Sequence, residues 1–271
     1  MNHLLRTLCA FSLLLLAGCF QVDTVVRVNP DGSGTVVETM MLSKKMLAQM
    51  NEMMQGFAGE GGAKPQPIDL YEPAKLKAEA AGMGAGVSFK SAKRAETADY
   101  SGYTVTYAFK DINKLKLNQQ KGSTGGDKSP SSPVLFHFKK GSPAQLTIEM
   151  PKGKTVDKNA DAPKEDVDAA PTNKVVSEEE AKKLLETFMG MKMALSVEVN
   201  GAIVKTNATH LSGNRITIVD LDLAKFGSSL PQLEKLKQLQ TCSLADAKEL
   251  LKDFPGMKID MNDRLTVVFT K

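Results

Sequence analysis

Residues 21 to 42 alternate between apolar and polar side chains with the period of two that is typical of half-buried strands. In the stretch QVDTVVRV, one face carries Val22, Thr24, Val26 and Val28. The alternation stops at NPDGSG, whose Pro, Asp and Gly residues favour a tight turn, and resumes in TVVETMML. The pattern predicts a β-hairpin. An ion or phosphate loop at Asp31 is the less favoured alternative, because a single acid is a poor ligand set.

The next two segments show the spacing of amphipathic helices. The first is predicted to begin after Ser43, a suitable N-cap residue, and to end near Phe57. Its apolar face carries Met46, Met50, Met53, Met54 and Phe57. A loop rich in Gly and Pro follows at 59–67, and a second helix is predicted from about Glu72 to Ala81, ending at Gly82.

Alternation returns after this helix and continues, with interruptions, to the end of the chain. Strands are predicted around 87–90, 103–109, 134–139, 145–150, 194–199, 202–208, 214–221 and 265–269. Helices are predicted at about 177–188, where Ser177 and Glu180 form a capping box, and at about 230–240 and 243–254. Segments 118–132 and 152–175 are rich in Gly, Ser, Lys, Asp or Pro and are predicted to be flexible loops.

Each predicted strand has one apolar and one polar face, which is the pattern of an antiparallel sheet covered on one side. The strands are clustered along the chain and do not alternate regularly with helices. The pattern therefore predicts an α+β fold, with a curved antiparallel sheet of about nine strands and helices packed mainly on one face.

The first eighteen residues have the layout of a targeting segment. Arg6 supplies a positive charge, residues 7–16 are mostly apolar, and Ala17 and Gly18 are small. A bilayer-spanning helix needs roughly 20 apolar residues, so this run is too short for one. Residues 1–18 are therefore predicted to be a signal peptide.

Leu16, Ala17, Gly18 and Cys19 together resemble the lipobox of bacterial lipoproteins. The resemblance implies cleavage between Gly18 and Cys19 and acyl chains on Cys19. An ordinary signal peptide with an incidental cysteine is the alternative. In double-membraned bacteria, Phe20 in place of Asp after the cysteine implies the outer membrane, on its periplasmic face. Residues 19–271 would then form a single periplasmic domain, held in the cell envelope by its lipid anchor.

The composition argues against nucleic acid as a partner and against an internal disulfide bond. The chain is 42% hydrophobic and 24% charged, as in ordinary globular proteins. The net charge falls from +4 to +3 when Arg6 is removed, and the lysines alternate with acids, so nucleic acid is not an expected partner. Cys9 lies in the signal peptide, which leaves only Cys19 and Cys242. With Cys19 acylated, no internal disulfide can form.

Catalytic and metal-binding motifs are not found. His137 and His210 do not stand at metal-ligand spacing with other ligands, and the pair Asp220 and Asp222 is as expected for surface solvation. The chain contains no nucleophile elbow and no phosphate-binding or dinucleotide-binding glycine motif. We therefore expect a protein that is not an enzyme, with no catalytic residue, cofactor or metal.

Methionine is the unusual signal, because 13 of the 14 methionines follow residue 18 and many are clustered. Methionine suits surfaces that accept variable apolar shapes. One interpretation is a cavity for a lipid or other hydrophobic ligand, lined by Met46, Met50, Met54, Phe57, Met189 and Met193. The methionines could instead fill an ordinary core. Copper binding by thioethers is disfavoured, because the 46–54 face has no histidine.

Two stretches resemble the LppM-like group of bacterial lipoproteins. VDTVVRVNPDGSGTVVETMML looks like the start of that group's domain, and LSVEVNGAIVKTNATHLSGNRITI is similar to its later hairpin. The resemblance implies a membrane-tethered α+β domain with a hydrophobic cavity and a suspected role in lipid binding. This chain has Ile216 and Ile218 where the group has a Trp on the return strand, and its section 60–176 does not align. No binding residue is carried over.

Two hypotheses follow. The first is a tethered, non-catalytic module that binds a lipid or other hydrophobic ligand. The second is a structural lipoprotein with a solid core that engages an envelope protein partner. A ligand pocket of about 300–1,000 Å³ would favour the first hypothesis, and a filled core behind Met50, Phe57 and Met189 would favour the second.

Overall fold

The computed structural model describes residues 20–57, 66–117, 133–150, 191–225, 254 and 256–271. The strands in these residues are β1 Phe20–Val28, β2 Gly34–Ser43, β3 Val87–Glu96, β4 Tyr100–Phe109, β5 Lys116–Leu117, β6 Val134–Lys139, β7 Ala144–Glu149, β8 Lys192–Val199, β9 Ala202–Thr206, β10 Leu211–Ser212, β11 Arg215–Asp222, β12 Met257–Ile259 and β13 Arg264–Thr270. The helices are α1 Lys44–Phe57 and α2 Pro73–Glu79. Three short 3-10 turns lie at Ala80–Met83, Ile112–Lys114 and Leu223–Lys225.

The predicted hairpin at the start of the domain is confirmed. β1 and β2 pair antiparallel from Phe20 opposite Leu42 to Val28 opposite Gly34. In the turn, the Asp31 carboxylate accepts hydrogen bonds from the Ser33 amide (2.9 Å) and hydroxyl (2.7 Å). Gly32 has a φ of 88°, which favours glycine. The Asp31 side chain thus stabilises the turn, as the turn interpretation requires.

The mixed α and β content agrees with the sequence prediction, but the single sheet of about nine strands is wrong. The described strands form two sheets. The larger sheet has the order β10-β11-β8-β1-β2-β4-β3, with β12 also paired to β11, and the smaller sheet has the order β5-β6-β7-β13-β9. Alternation shows which face of a strand is apolar, but it does not show which strands are neighbours.

The larger sheet also contains a parallel pair, which the antiparallel prediction missed. β1 lies parallel to β8 from Gln21 opposite Lys192 to Val28 opposite Val199. A parallel pair needs a long crossover, and the whole chain between β1 and β8 supplies it. Because this partner is distant in sequence, local periodicity carries no signal for it.

The inner faces of the two sheets share one hydrophobic core. From the larger sheet, fully buried members include Val26, Val28, Val36, Tyr107 and Val197. From the smaller sheet they include Phe136, Leu146, Ile148, Leu265, Val267 and Phe269. The centres of the Phe269 and Phe138 rings lie 6.3 Å apart. Burial of this large apolar area is the main stabilising contribution to the fold.

The two helices lie on either side of the 58–65 gap in the described chain. The Ser43 hydroxyl accepts a hydrogen bond from the Met46 amide at 3.1 Å, which confirms the predicted N-cap of α1. α2 begins at Pro73, continues into the 3-10 turn, and buries Leu76, Ala80 and Met83.

Several predictions fall outside the described residues. These are the signal peptide, the loops 118–132 and 152–175, and the helices at 177–188 and 230–240 with most of the one at 243–254. Among the residues that are described, no helix combines the length and apolarity needed to cross a membrane.

Candidate hydrophobic binding site

A pocket of about 500 Å³ lies on the inner face of the larger sheet. We call it the Tyr103 pocket. It lies at the entry end of the sheet, where β1 begins at Phe20 and β2 ends at Ser43. The opposite end, where β1 turns into β2 at residues 29–33, is the turn end. Of the described residues of the smaller sheet, only Lys116 and Leu117 of β5 reach the pocket.

The floor of the pocket is built by strand register. Val22 of β1 lies opposite Met40 of β2, which in turn lies opposite Tyr103 of β4. On the other side, Val22 is paired with Met193 of β8. Side chains of residues that lie directly opposite each other on neighbouring strands point to the same face of the sheet, so these four residues share the inner face. The same register places Thr24, Glu38 and Leu195 in the next row of the floor.

The roof is formed by α2, its 3-10 extension and the segment that precedes them. Leu76 and Met83 point inward from the helix and its extension and are buried. The Tyr107 hydroxyl donates a 3.0 Å hydrogen bond to the Leu76 carbonyl oxygen. This bond ties the roof to the sheet from within the buried interior.

The segment 68–71 forms the rim and is held by side-chain contacts. The Asn51 side-chain oxygen accepts a 2.8 Å hydrogen bond from the Ile68 amide. Arg94 makes a two-pronged ion pair with Asp69, at 2.9 and 2.6 Å, and its guanidinium lies 4.9 Å from the centre of the Tyr71 ring. The Arg94 contact lowers the pKa of the Asp69 carboxyl. The rim is therefore anchored to both α1 and β3.

Polar groups enter the pocket at a few positions. Glu38 lines the pocket from the floor and Glu79 lines it from the roof, and both side chains are half-buried. The Tyr103 hydroxyl lies 3.3 Å from the Met40 sulfur. Burial raises the pKa of Tyr103, and the negative charges of Glu38 and Glu79 raise it further. Tyr103 is therefore a neutral hydroxyl at physiological pH.

The charged residues around the pocket are unequally divided. Four carboxylates line it, those of Glu38, Asp69, Glu72 and Glu79, against the two lysines Lys75 and Lys116. The remaining described lining is mostly apolar. Such an arrangement can enclose an apolar group and hydrogen-bond one polar end of it.

The structure separates the residues that were predicted to line a cavity. Met193 lines the Tyr103 pocket. Met46, Met50 and Met54 lie on α1 and are not among its described lining residues, and the Phe57 side chain lies outside what the structure describes. Met53 and Met54 are 54% and 38% exposed. Met189, Gly18 and Cys19 lie outside the described residues.

Glu38, Glu79 and Tyr103 were missed as candidates, although the sequence holds a signal for two of them. Glu38 occupies an inner-face position of β2, between Val36 and Met40, where alternation predicts an apolar residue. Glu79 shares a helical face with the buried Leu76 and Met83. An acid on an otherwise apolar face requires a polar surrounding, so it marks a place where the interior is not closed.

A smaller, polar pocket of about 310 Å³ lies at the turn end. Its asparagines are engaged with the protein itself. The Asn200 amide donates to the Asn29 side-chain oxygen at 3.2 Å, and the Asn214 amide donates to the Val199 carbonyl at 2.8 Å. Arg27 and Glu198 pair across it at 3.6 Å. These contacts explain the polar residues as stabilisers of the strand ends.

Comparison with known proteins gives little beyond this geometry. No family model matches the chain, and no curated protein matches it significantly. Among solved structures, the chain is similar to the NMR structure of the folded domain of LppM from Mycobacterium tuberculosis. The match has a TM-score of 0.34 and 10% identity, and covers 94% of this chain and 92% of that one. The LppM-like resemblance of the sequence thus has a weak structural counterpart, which carries no conclusion about function.

Proposed function

We propose that this protein is a membrane-anchored envelope lipoprotein whose non-catalytic domain binds a lipid or other hydrophobic ligand in the Tyr103 pocket. The observation that carries the proposal is the pocket itself, which has a volume of about 500 Å³ and a mostly apolar lining. This volume falls within the range of about 300–1,000 Å³ typical of small-molecule sites.

The position of the pocket relative to the proposed anchor supports the same function. Phe20 is the first residue of β1 and lines the pocket, and Cys19 is its direct neighbour in sequence. Acyl chains on Cys19 would therefore enter the bilayer close to the pocket. Each buried methylene contributes about 0.8 kcal/mol, so two or three chains would retain the domain at the membrane.

The proposed location is the outer membrane, facing the periplasm, with residues 1–18 removed and residues 19–271 as one domain. It rests on the lipobox-like sequence and on Phe20 following the cysteine. Exchange of Cys19 for Ser is expected to leave an unprocessed precursor without acyl chains, as judged by mass spectrometry. Normal cleavage and membrane retention of that variant would contradict the anchor.

Ligand binding in the Tyr103 pocket can be tested with a substitution that fills the pocket with a large side chain. The chain from Phe20 onward contains every described element, so residues 20–271 can be exported behind an ordinary signal peptide. Val22→Trp places a large side chain on the pocket floor, and Val204→Trp places the same side chain on the exposed strand β9 as a matched control. We expect the uncharged fluorophore N-phenyl-1-naphthylamine to bind the parent chain and V204W, but not V22W. Equal binding by V22W and V204W would contradict the site.

A partner-binding role is the second candidate. Val204 on β9 and Leu211 on β10 are 58% and 46% exposed, and both lie on strands at the edge of a sheet. Exposed edge strands can pair with another chain. If an envelope protein docks there, cross-linking to it should be lost in Val204→Lys and kept in Val22→Trp. Cross-linking that is unaffected by V204K would contradict docking at β9.

A further inference from the structure

We propose that the Tyr103 pocket selects amphiphiles whose polar end is a protonated amine, and that Glu38 is the group that binds this amine. The inference rests on the proposed hydrophobic site and adds the chemical class of its ligand. It is based on Glu38 and Glu79, whose carboxylates line the pocket among mostly apolar floor and roof residues.

Glu38 is surrounded by the floor of the pocket. Across the strands it lies opposite Thr24 of β1 and Val105 of β4. Along its own strand, the neighbours on the same face are Val36 and Met40. The Glu38 carboxylate also interacts with the Tyr103 hydroxyl. A carboxylate has two oxygens and accepts several hydrogen bonds, so a cationic group in the pocket can add a charge-assisted hydrogen bond beside that contact.

Glu79 brings a second carboxylate to the same place from the roof. Both glutamates act electrostatically on the same two hydroxyl groups, those of Tyr103 and Tyr107. Both acids line the same pocket, Glu38 from the sheet and Glu79 from α2. The Tyr103 ring adds an aromatic surface there, which also favours a cation.

The sign of the pocket charge is opposite to that of the whole protein. The lining has four carboxylates and two lysines, whereas the full chain has a formal net charge of +4. Non-specific attraction to the protein would thus favour anionic amphiphiles, while the pocket favours cationic ones. A preference for the amine cannot be attributed to overall charge.

The test compares three amphiphiles with the same chain: dodecylamine, dodecanol and laurate. Each is titrated into residues 20–271 by calorimetry at neutral pH, below its aggregation concentration. We expect dodecylamine to bind at least about tenfold more tightly than laurate, with dodecanol between them. Laurate binding as tightly as the amine would overturn the inference but leave the hydrophobic site in place. No binding by any of the three would overturn both.

Variants assign the preference to Glu38. Glu38→Gln keeps the size of the side chain and removes its charge, and we expect it to lose most of the preference for dodecylamine over dodecanol, with the remainder due to Glu79. Glu96→Gln makes the same change at an exposed position of β3 and should keep the full preference. An unchanged preference in E38Q would overturn the assignment. Glu79→Gln removes the charge of the half-buried glutamate in the roof and serves as a second variant. We expect it to weaken the preference for dodecylamine over dodecanol by a smaller factor than E38Q does.

Discussion

The two ends of the inner face of the larger sheet differ in what lies over them. At the turn end, Val26, Val28 and Val36 are fully buried in the core that both sheets share. At the entry end of the same strands, Val22 and Met40 are half-buried around the Tyr103 pocket. The inner face is apolar from one end to the other except at Thr24 and Glu38, which lie at the entry end. Among the described residues, the smaller sheet packs over the turn end and contributes only β5 to the pocket.

This contrast shows how a binding site can be made without a special motif. The strands supply a face that is mostly apolar, and among the described residues the smaller sheet covers only part of it. At the open end, α2 and the segment 68–71 roof the space at a distance and do not fill it. Glu38 occurs on the face only at this end, where its carboxylate can reach a polar surrounding.

The largest effect is expected at the closed end. Phe269→Ala removes a fully buried ring of the smaller sheet that packs against Phe138. We expect the free energy of unfolding to fall by about 3–5 kcal/mol, because the cavity left behind adds to the lost transfer free energy. Urea denaturation measures this change. A loss below about 1 kcal/mol would show that the turn end is not a packed core.

A matched pair of substitutions on β1 compares the two ends directly. Val26→Ala removes fully buried methyl groups and should cost about 2–3 kcal/mol in unfolding free energy. Val22→Ala removes the same atoms beside an open pocket and should cost less than about 1 kcal/mol. Equal costs in urea denaturation would mean that the two ends are packed alike, which would contradict the pocket.

The attachment of the roof should have a smaller effect. Tyr107→Phe removes the hydroxyl that donates to the Leu76 carbonyl and leaves that buried oxygen without this partner. We expect a loss of about 1–2 kcal/mol in unfolding free energy. Hydrogen exchange should rise in α2 and not in β7. Unchanged exchange in α2 would show that this hydrogen bond does not hold the roof.

The smallest effect is expected at the rim. The ion pair with Arg94 lowers the pKa of Asp69, so the carboxylate stabilises the folded state above its unfolded pKa of about 3.9. That contribution is lost as the pH falls through the lower folded pKa. The difference in urea midpoint between the parent chain and Asp69→Asn should therefore be small at neutral pH, begin to fall near the unfolded pKa of about 3.9, and vanish only below the lower folded pKa. A difference that grows in acid would have the wrong sign for this mechanism.

Local patterns predicted the parts of the fold that depend on local sequence. The β1–β2 hairpin, the Ser43 cap and the apolar faces of the strands follow from alternation, turn residues and capping chemistry. The parallel pairing of β1 with β8 and the division into two sheets depend on contacts between distant segments. For the same reason, the sequence did not indicate that Met40 and Met83 line the same pocket as Met193, which it did select.

The most direct test of the hydrophobic site is native mass spectrometry of residues 20–271 purified from a bacterial envelope fraction, followed by organic extraction. The proposal predicts a co-purifying lipid at near-unit stoichiometry in the parent chain and its absence in Val22→Trp. A clean mass of the protein alone, with no uptake after incubation with envelope lipids, would contradict lipid binding and favour the partner-binding role.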